Sequence, residues 1–240
     1  MITVLRRAPA SSLLAGTVLL ALTACTGLEE ASAAGVADGD LVSEAADRVA
    51  AAERENWTAV YRLAGGRTGL VARSRDPGRA VYVFPAGRLI HTPAARIRCT
   101  TEIPTRTSPA DGGDGSGAVC TATSPAAEEP DDVPASTGMI SPAAILDMLE
   151  AAAIDPTVAV TSRETTIAGR FASCLRLGGV GPAPTSDFDV CVTVDGTIAA
   201  FTGTVSGTPV EMMLTEFRTA TDDRDFAIPA NARFVDHRPD

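Results

Sequence analysis

The chain has 240 residues, 20 basic and 30 acidic side chains, and a formal charge of −10. That balance excludes a nucleic-acid binder, which needs clustered cations, and it excludes docking on anionic lipid by charge alone. Every basic residue is Arg, and Lys and Gln are absent; we read this as the codon bias of a high-GC bacterium, not as a binding device.

The first informative stretch is Arg6-Arg7, an apolar run from Leu13 to Leu22, and then Leu22-Thr23-Ala24-Cys25. A basic head, a short apolar segment and small residues before a cut site make a secretory signal peptide. The run is shorter than the roughly 20 residues needed to span a bilayer. The stretch resembles the lipobox of bacterial lipoproteins. That resemblance implies a leader over residues 1–24 and an acyl group, such as palmitate, on the sulfur of Cys25. The chain is then extracytoplasmic and anchored to the cell membrane through that lipid. Residues 25–40 are small and acidic without apolar periodicity and read as a flexible tether. At about 5–6 Å × √n, it holds the next domain roughly 20 Å from its anchor.

Residues 41–240 read as one domain without internal repeats. Leu41 to Asn56 has a helical stripe of Leu41, Ala45, Val49 and Ala52, with Ser43 as N-cap. Trp57 opens a β-rich region with strands at Thr58–Leu63, Gly69–Ser74, Ala80–Phe84 and Arg88–Thr92. Gly65-Gly66, Asp76-Pro77-Gly78 and Pro85-Ala86-Gly87 are the turns between them. Such close spacing predicts an antiparallel meander. Arg96–Glu102 and Ala118–Thr123 make another pair, joined by the Gly- and Asp-rich stretch from Ser108 to Gly117; Ser124 to Thr137 is a second polar connector. Ser141-Pro142 starts the clearest helix, with Ile145, Leu146, Met148, Leu149 and Ala152 on its apolar face and Asp155-Pro156 as its stop. Strands follow at Val158–Arg163, Thr166–Leu177, Phe188–Val194, Thr197–Val205 and Pro209–Arg218. Asp195-Gly196 is a two-residue hairpin turn, and a short run from Asn231 to Asp236 closes the domain.

Five cysteines are an odd number. Setting Cys25 aside leaves Cys99, Cys120, Cys174 and Cys191, an even set suited to disulfides in an exported domain. Of the three possible pairings, Cys99–Cys120 and Cys174–Cys191 are favoured, because each brackets one candidate hairpin. No metal site is expected: the cysteines have no close-pair spacing, and His91 and His237 are the only imidazoles. No cofactor is implied. Ser74, Asp76 and His91 have the composition of a triad, but nothing aligns them and no Gly-x-Ser-x-Gly elbow exists, so no enzyme activity is expected. Asp187/Asp189 and Asp222-Asp223-Arg224-Asp225 read as solvated acidic turns.

The order of elements and the ending Asp225-Phe226-Ala227-Ile228-Pro229-Ala230-Asn231-Ala232-Arg233-Phe234-Val235-Asp236 resemble the LolA-like lipoprotein-carrier superfamily. The stretch Thr166 to Phe217 is similar to the second half of LppX/LprG-type lipoproteins. The resemblance implies an α+β fold, a curved antiparallel half-barrel sheet covering helices, with an apolar cavity between them for a lipid or a lipidated protein. Strict strand alternation places Met212 and Leu214 on one face and Met213 and Phe217 on the other. The candidate cavity residues are Trp57, Tyr61, Ile145, Met148, Leu149, Met212 and Leu214. The alternative from another class is an envelope sensor or adapter that binds a membrane or secreted protein, as RseB-type relatives of that fold do.

Overall fold

Alternation builds most of this structure. In Trp57, Ala59, Tyr61 and Leu63 every second side chain is apolar, so one face of that strand is driven out of water. The same pattern recurs along the chain, and the result is one twelve-stranded sheet. The computed structural model describes residues 26–101, 117–125, 133–181 and 185–239, with side chains described from residue 38 onward. Cys25, the leader, most of the 108–117 stretch and residues 126–132 of the second connector lie outside the described residues.

Helix α1 spans Thr26–Ala52. It leads into a meander of β1 (Trp57–Leu63), β2 (Thr68–Ser74), β3 (Arg79–Phe84), β4 (Gly87–Thr92), β5 (Ala95–Thr101) and β6 (Ala118–Thr123). Helix α2 spans Pro142–Ala153. A second meander follows: β7 (Ala159–Ile167), β8 (Arg170–Gly178), β9 (Asp187–Thr193), β10 (Ile198–Val205) and β11 (Thr208–Arg218). Strand β12 (Arg233–Asp236) ends the described fold.

The strand order is β12-β6-β5-β4-β3-β2-β1-β11-β10-β9-β8-β7. The two meanders are joined at the centre by the antiparallel β1–β11 pair. Among the described strands, only β12 runs parallel to its neighbour, β6. The sheet curves strongly, because β7 comes within contact distance of β11 although three strands separate them. The α+β architecture read from the sequence, a curved and mostly antiparallel sheet with helices on it, is the one observed.

Both expected disulfides are present. Cys99–Cys120 joins directly opposed residues of β5 and β6, and Cys174–Cys191 does the same for β8 and β9. Each therefore locks the register of one hairpin.

Helix α2 begins as its sequence dictates. The Ser141 hydroxyl accepts from the Ala144 amide at 3.1 Å, and Pro142 sits at the first helical position. Ile145, Met148, Leu149 and Ala152 form its buried stripe. It packs on α1, whose Val42, Ala45, Ala46 and Val49 are buried in the same core.

Three expectations need correction. Helix α1 starts at Thr26 and not near Leu41, so the backbone of the stretch read as a tether is helical. Ala-rich composition and the early Glu29 and Glu30 favour helix there, although Gly35 and Gly39 interrupt any apolar pattern. The β7–β8 turn is Ala168-Gly169, both at positive φ, and not residues 164–165, which makes one long hairpin. Phe217 faces the core with Trp57 and does not share a face with Met213: the register of β1 against β11 skips Thr215, and this bulge reverses the alternation beyond it. The Thr215 hydroxyl donates to the Val60 carbonyl at 3.0 Å and holds the bulge.

Gly196 serves two purposes. Its φ of +81° suits the β9–β10 turn, and a Cβ there would lie 1.9 Å from the Arg48 carbonyl of α1. The turn thus fits against the helix backbone only as glycine. Gly196→Ala is expected to destabilise the fold by about 2–4 kcal/mol through left-handed strain and overpacking, read as a lower urea midpoint.

Candidate functional site

The seven residues expected to line a cavity come together. Trp57 and Tyr61 on β1, Met212 and Leu214 on β11, and Ile145, Met148 and Leu149 on α2 belong to one cluster between sheet and helices. Each is 4% exposed or less. The apolar sheet face under α2 is therefore filled by the protein's own side chains, including Tyr82, Leu177, Val190 and Phe201. The sequence located the wall residues and expected open space between them; the structure shows those walls in contact.

Polar anchors fix this core. The Trp57 indole N–H donates to the Ala52 carbonyl at 2.9 Å, which ties the end of α1 to β1. The Tyr61 hydroxyl donates to the Ile198 carbonyl at 3.0 Å. Burial, aided by the charge of Glu53, pushes the Tyr61 phenol far above its ordinary pKa. Glu53 forms a half-buried ion pair with Arg73 of β2 at 2.9 Å.

Open space lies at the margins. A groove of about 400 Å³ runs where residues Asp38 to Ser43 of α1 and the end of α2 meet Val158 and Val160 at the start of edge strand β7. Ile154 stands almost fully exposed beside it. A second groove, of about 610 Å³, is lined by Thr161, Arg176, Asp189, Thr202 and Glu211. These five form one cross-strand row from β7 to β11. They alternate with the core residues Leu177, Val190, Phe201 and Val210, so the row faces away from the helices. Arg176 and Asp189 pair across it at 3.2 Å. This row was not singled out from the sequence: Asp189, read there as part of an acidic turn, lies within β9, and the other four are ordinary exposed strand positions until the register aligns them.

The residues weighed as chemistry do not assemble. Ser74 Oγ lies near the Asp76 carbonyl, and His91 stacks edge-on against Tyr82 at 5.8 Å. Asp222 caps the 3-10 turn Asp223–Phe226, accepting from the Arg224 amide at 2.9 Å. Among the described residues, no group of three His, Cys, Asp or Glu side chains is gathered as metal ligands. No helix among them is long and apolar enough to cross a membrane.

No protein-family model and no curated protein matches the chain. Among solved structures it is similar to an uncharacterized conserved protein from Thermus thermophilus, at 12% identity and a TM-score of 0.46, over 81% of this chain and 98% of that one. It is also similar to MucB, at 16% identity and a TM-score of 0.44, over 81% of this chain; the match spans 65% of the MucB chain. Two disulfides in one domain point to an oxidising, extracytoplasmic setting.

Tyr61 provides a test of core packing. Its phenol ionises near pH 10 when unfolded and higher when folded, so its stabilising effect is complete below pH 10 and is lost as pH rises above that. Tyr61→Phe is expected to cost about 1 kcal/mol at neutral pH and to flatten the fall in stability above pH 10, measured by urea unfolding across pH.

Proposed function

We propose that this chain is an extracytoplasmic, LolA-like lipoprotein, held at the membrane by a lipid on Cys25, that binds the acyl chain of a lipid or lipidated protein beneath α2. The supporting observation is the cover itself. One apolar sheet face is closed by a single layer of two helices, and the 400 Å³ groove opens at the seam between that layer and edge strand β7.

The filled core is then the ligand-free state, and loading lifts α2. Exposing Ile145, Met148 and Leu149 costs about 5–9 kcal/mol at 1.5–3 kcal/mol per side chain. An acyl chain of roughly sixteen carbons returns about 12 kcal/mol on burial. The ligand therefore outweighs the lid, whereas a short or polar molecule does not. Met139, Met148 and Met212 lie in this core, and their unbranched side chains adapt to flexible tails. The reading requires no cofactor or nucleic acid and no catalytic chemistry.

One observation favours the adapter reading: the core residues are in contact as the structure stands. In that case the fold recognises a membrane or secreted protein through its outer surface and never opens.

The full chain carrying Cys25→Ser, purified without denaturant and examined by native mass spectrometry, is expected to carry one added mass that organic solvent removes and that a fatty acid competes away. A bare mass together with specific cross-linking to one envelope protein would overturn the acyl-chain reading in favour of the adapter.

A further inference from the structure

A smaller pocket of about 280 Å³ lies where α1 ends, lined by Ala52, Glu55, Trp57, Asp195, Thr197 and Phe217 among others. It falls below the roughly 300–1,000 Å³ of sites for drug-sized ligands, so it suits a molecule of only a few heavy atoms. The Trp57 and Phe217 rings stack with centroids 6.5 Å apart and form its apolar wall. Glu55 and Asp195 supply two carboxylates.

Asp195 is held in place. Arg170 forms an ion pair with it and rests 4.1 Å over the Phe217 ring, and the Thr193 hydroxyl donates to it. Partial burial opposes ionisation of Asp195, but these hydrogen bonds win and hold its carboxyl below the usual range. With Asp195 balanced by Arg170, Glu55 leaves the lining negative. The end of α1 adds to this, because a helix C-terminus carries partial negative charge and the last turn has no basic residue.

An independent observation points to a ligand. Thr197 is 1% exposed and lines this pocket, yet its hydroxyl has no hydrogen-bond partner. A buried hydroxyl left unpaired is costly, and a ligand donor in the pocket would satisfy it.

We propose that this pocket binds a small organic cation, an ammonium group that donates to Thr197 Oγ1 and to the carboxylates of Glu55 and Asp195 while its carbons lie against Trp57 and Phe217. Aromatic walls favour such cations, and the carboxylates repel anions. The inference does not rest on acyl-chain binding. A free amine and an amine-bearing lipid head group carry the same chemistry.

The test is calorimetric titration of the full chain carrying Cys25→Ser with ethanolamine, with acetate as the control. One equivalent of ethanolamine is expected to bind and acetate is not. Thr197→Val should weaken binding at least about tenfold and leave the unfolding midpoint unchanged or raised, since the lost hydroxyl has no partner in the free protein. Thr197→Ser should keep the affinity. Glu55→Gln, at an exposed position, should weaken binding without affecting folding. Vesicles containing phosphatidylethanolamine should be displaced by soluble ethanolamine if the head group is the natural source; absence of vesicle binding assigns the site to free amines. No ethanolamine binding, equal binding of acetate, wild-type affinity in Thr197→Val, or vesicle binding that ethanolamine does not displace would each overturn the assignment.

Discussion

Burial of one apolar sheet face beneath two helices is the constraint that organises this protein. From Tyr82 on β3 to Leu177 on β8, the inward side chains of both meanders belong to one cluster with α1 and α2. A curved sheet with one greasy face cannot stand in water uncovered. Nearly every other feature serves that closure. Ser141 starts α2 at the right residue, Trp57 ties the end of α1 to β1, and Gly196 lets the β9–β10 turn touch the helix backbone.

The opposite face is finished more lightly. Ala72, Val81 and Ile90 are covered by Phe226, whose ring carries the Arg79 guanidinium 4.2 Å above its centroid. The Phe-x-Ile-Pro ending therefore works as a clamp on the first meander before β12 pairs with β6. On the second meander, small residues surround the Cys174–Cys191 bridge, and Ala172 and Ala199 are buried beside it. The polar row from Thr161 to Glu211 lies further along the same face. The two faces differ in kind: one is a core under helices, the other a set of local patches.

This asymmetry connects fold to function. Under the acyl-chain reading proposed above, α2 is the part of this cover that lifts. The 280 Å³ pocket sits at the C-terminal end of α1, against Trp57 and Phe217, whereas the seam groove meets the middle of that helix. Trp57 thus borders both the core and a polar recess.

Local chemistry settled a great deal at the level of sequence. Apart from the β7–β8 turn, the strands lie within one or two residues of the alternating runs, because turn residues and side-chain period act over a few positions. The cysteine pairing followed from hairpin spacing, and Ser141-Pro142 announced α2. The seven wall residues were legible because only one face of each element is apolar. Other matters belonged to tertiary structure alone. Whether those walls touch or part depends on how far the helices settle onto the sheet, which no local pattern encodes. The bulge at Thr215 turned Phe217 inward, because one extra residue of β11 against β1 reverses the alternation. The parallel β12–β6 pair, the cross-strand polar row and the unpartnered hydroxyl of Thr197 all depend on long-range register, which exists only once distant strands lie side by side.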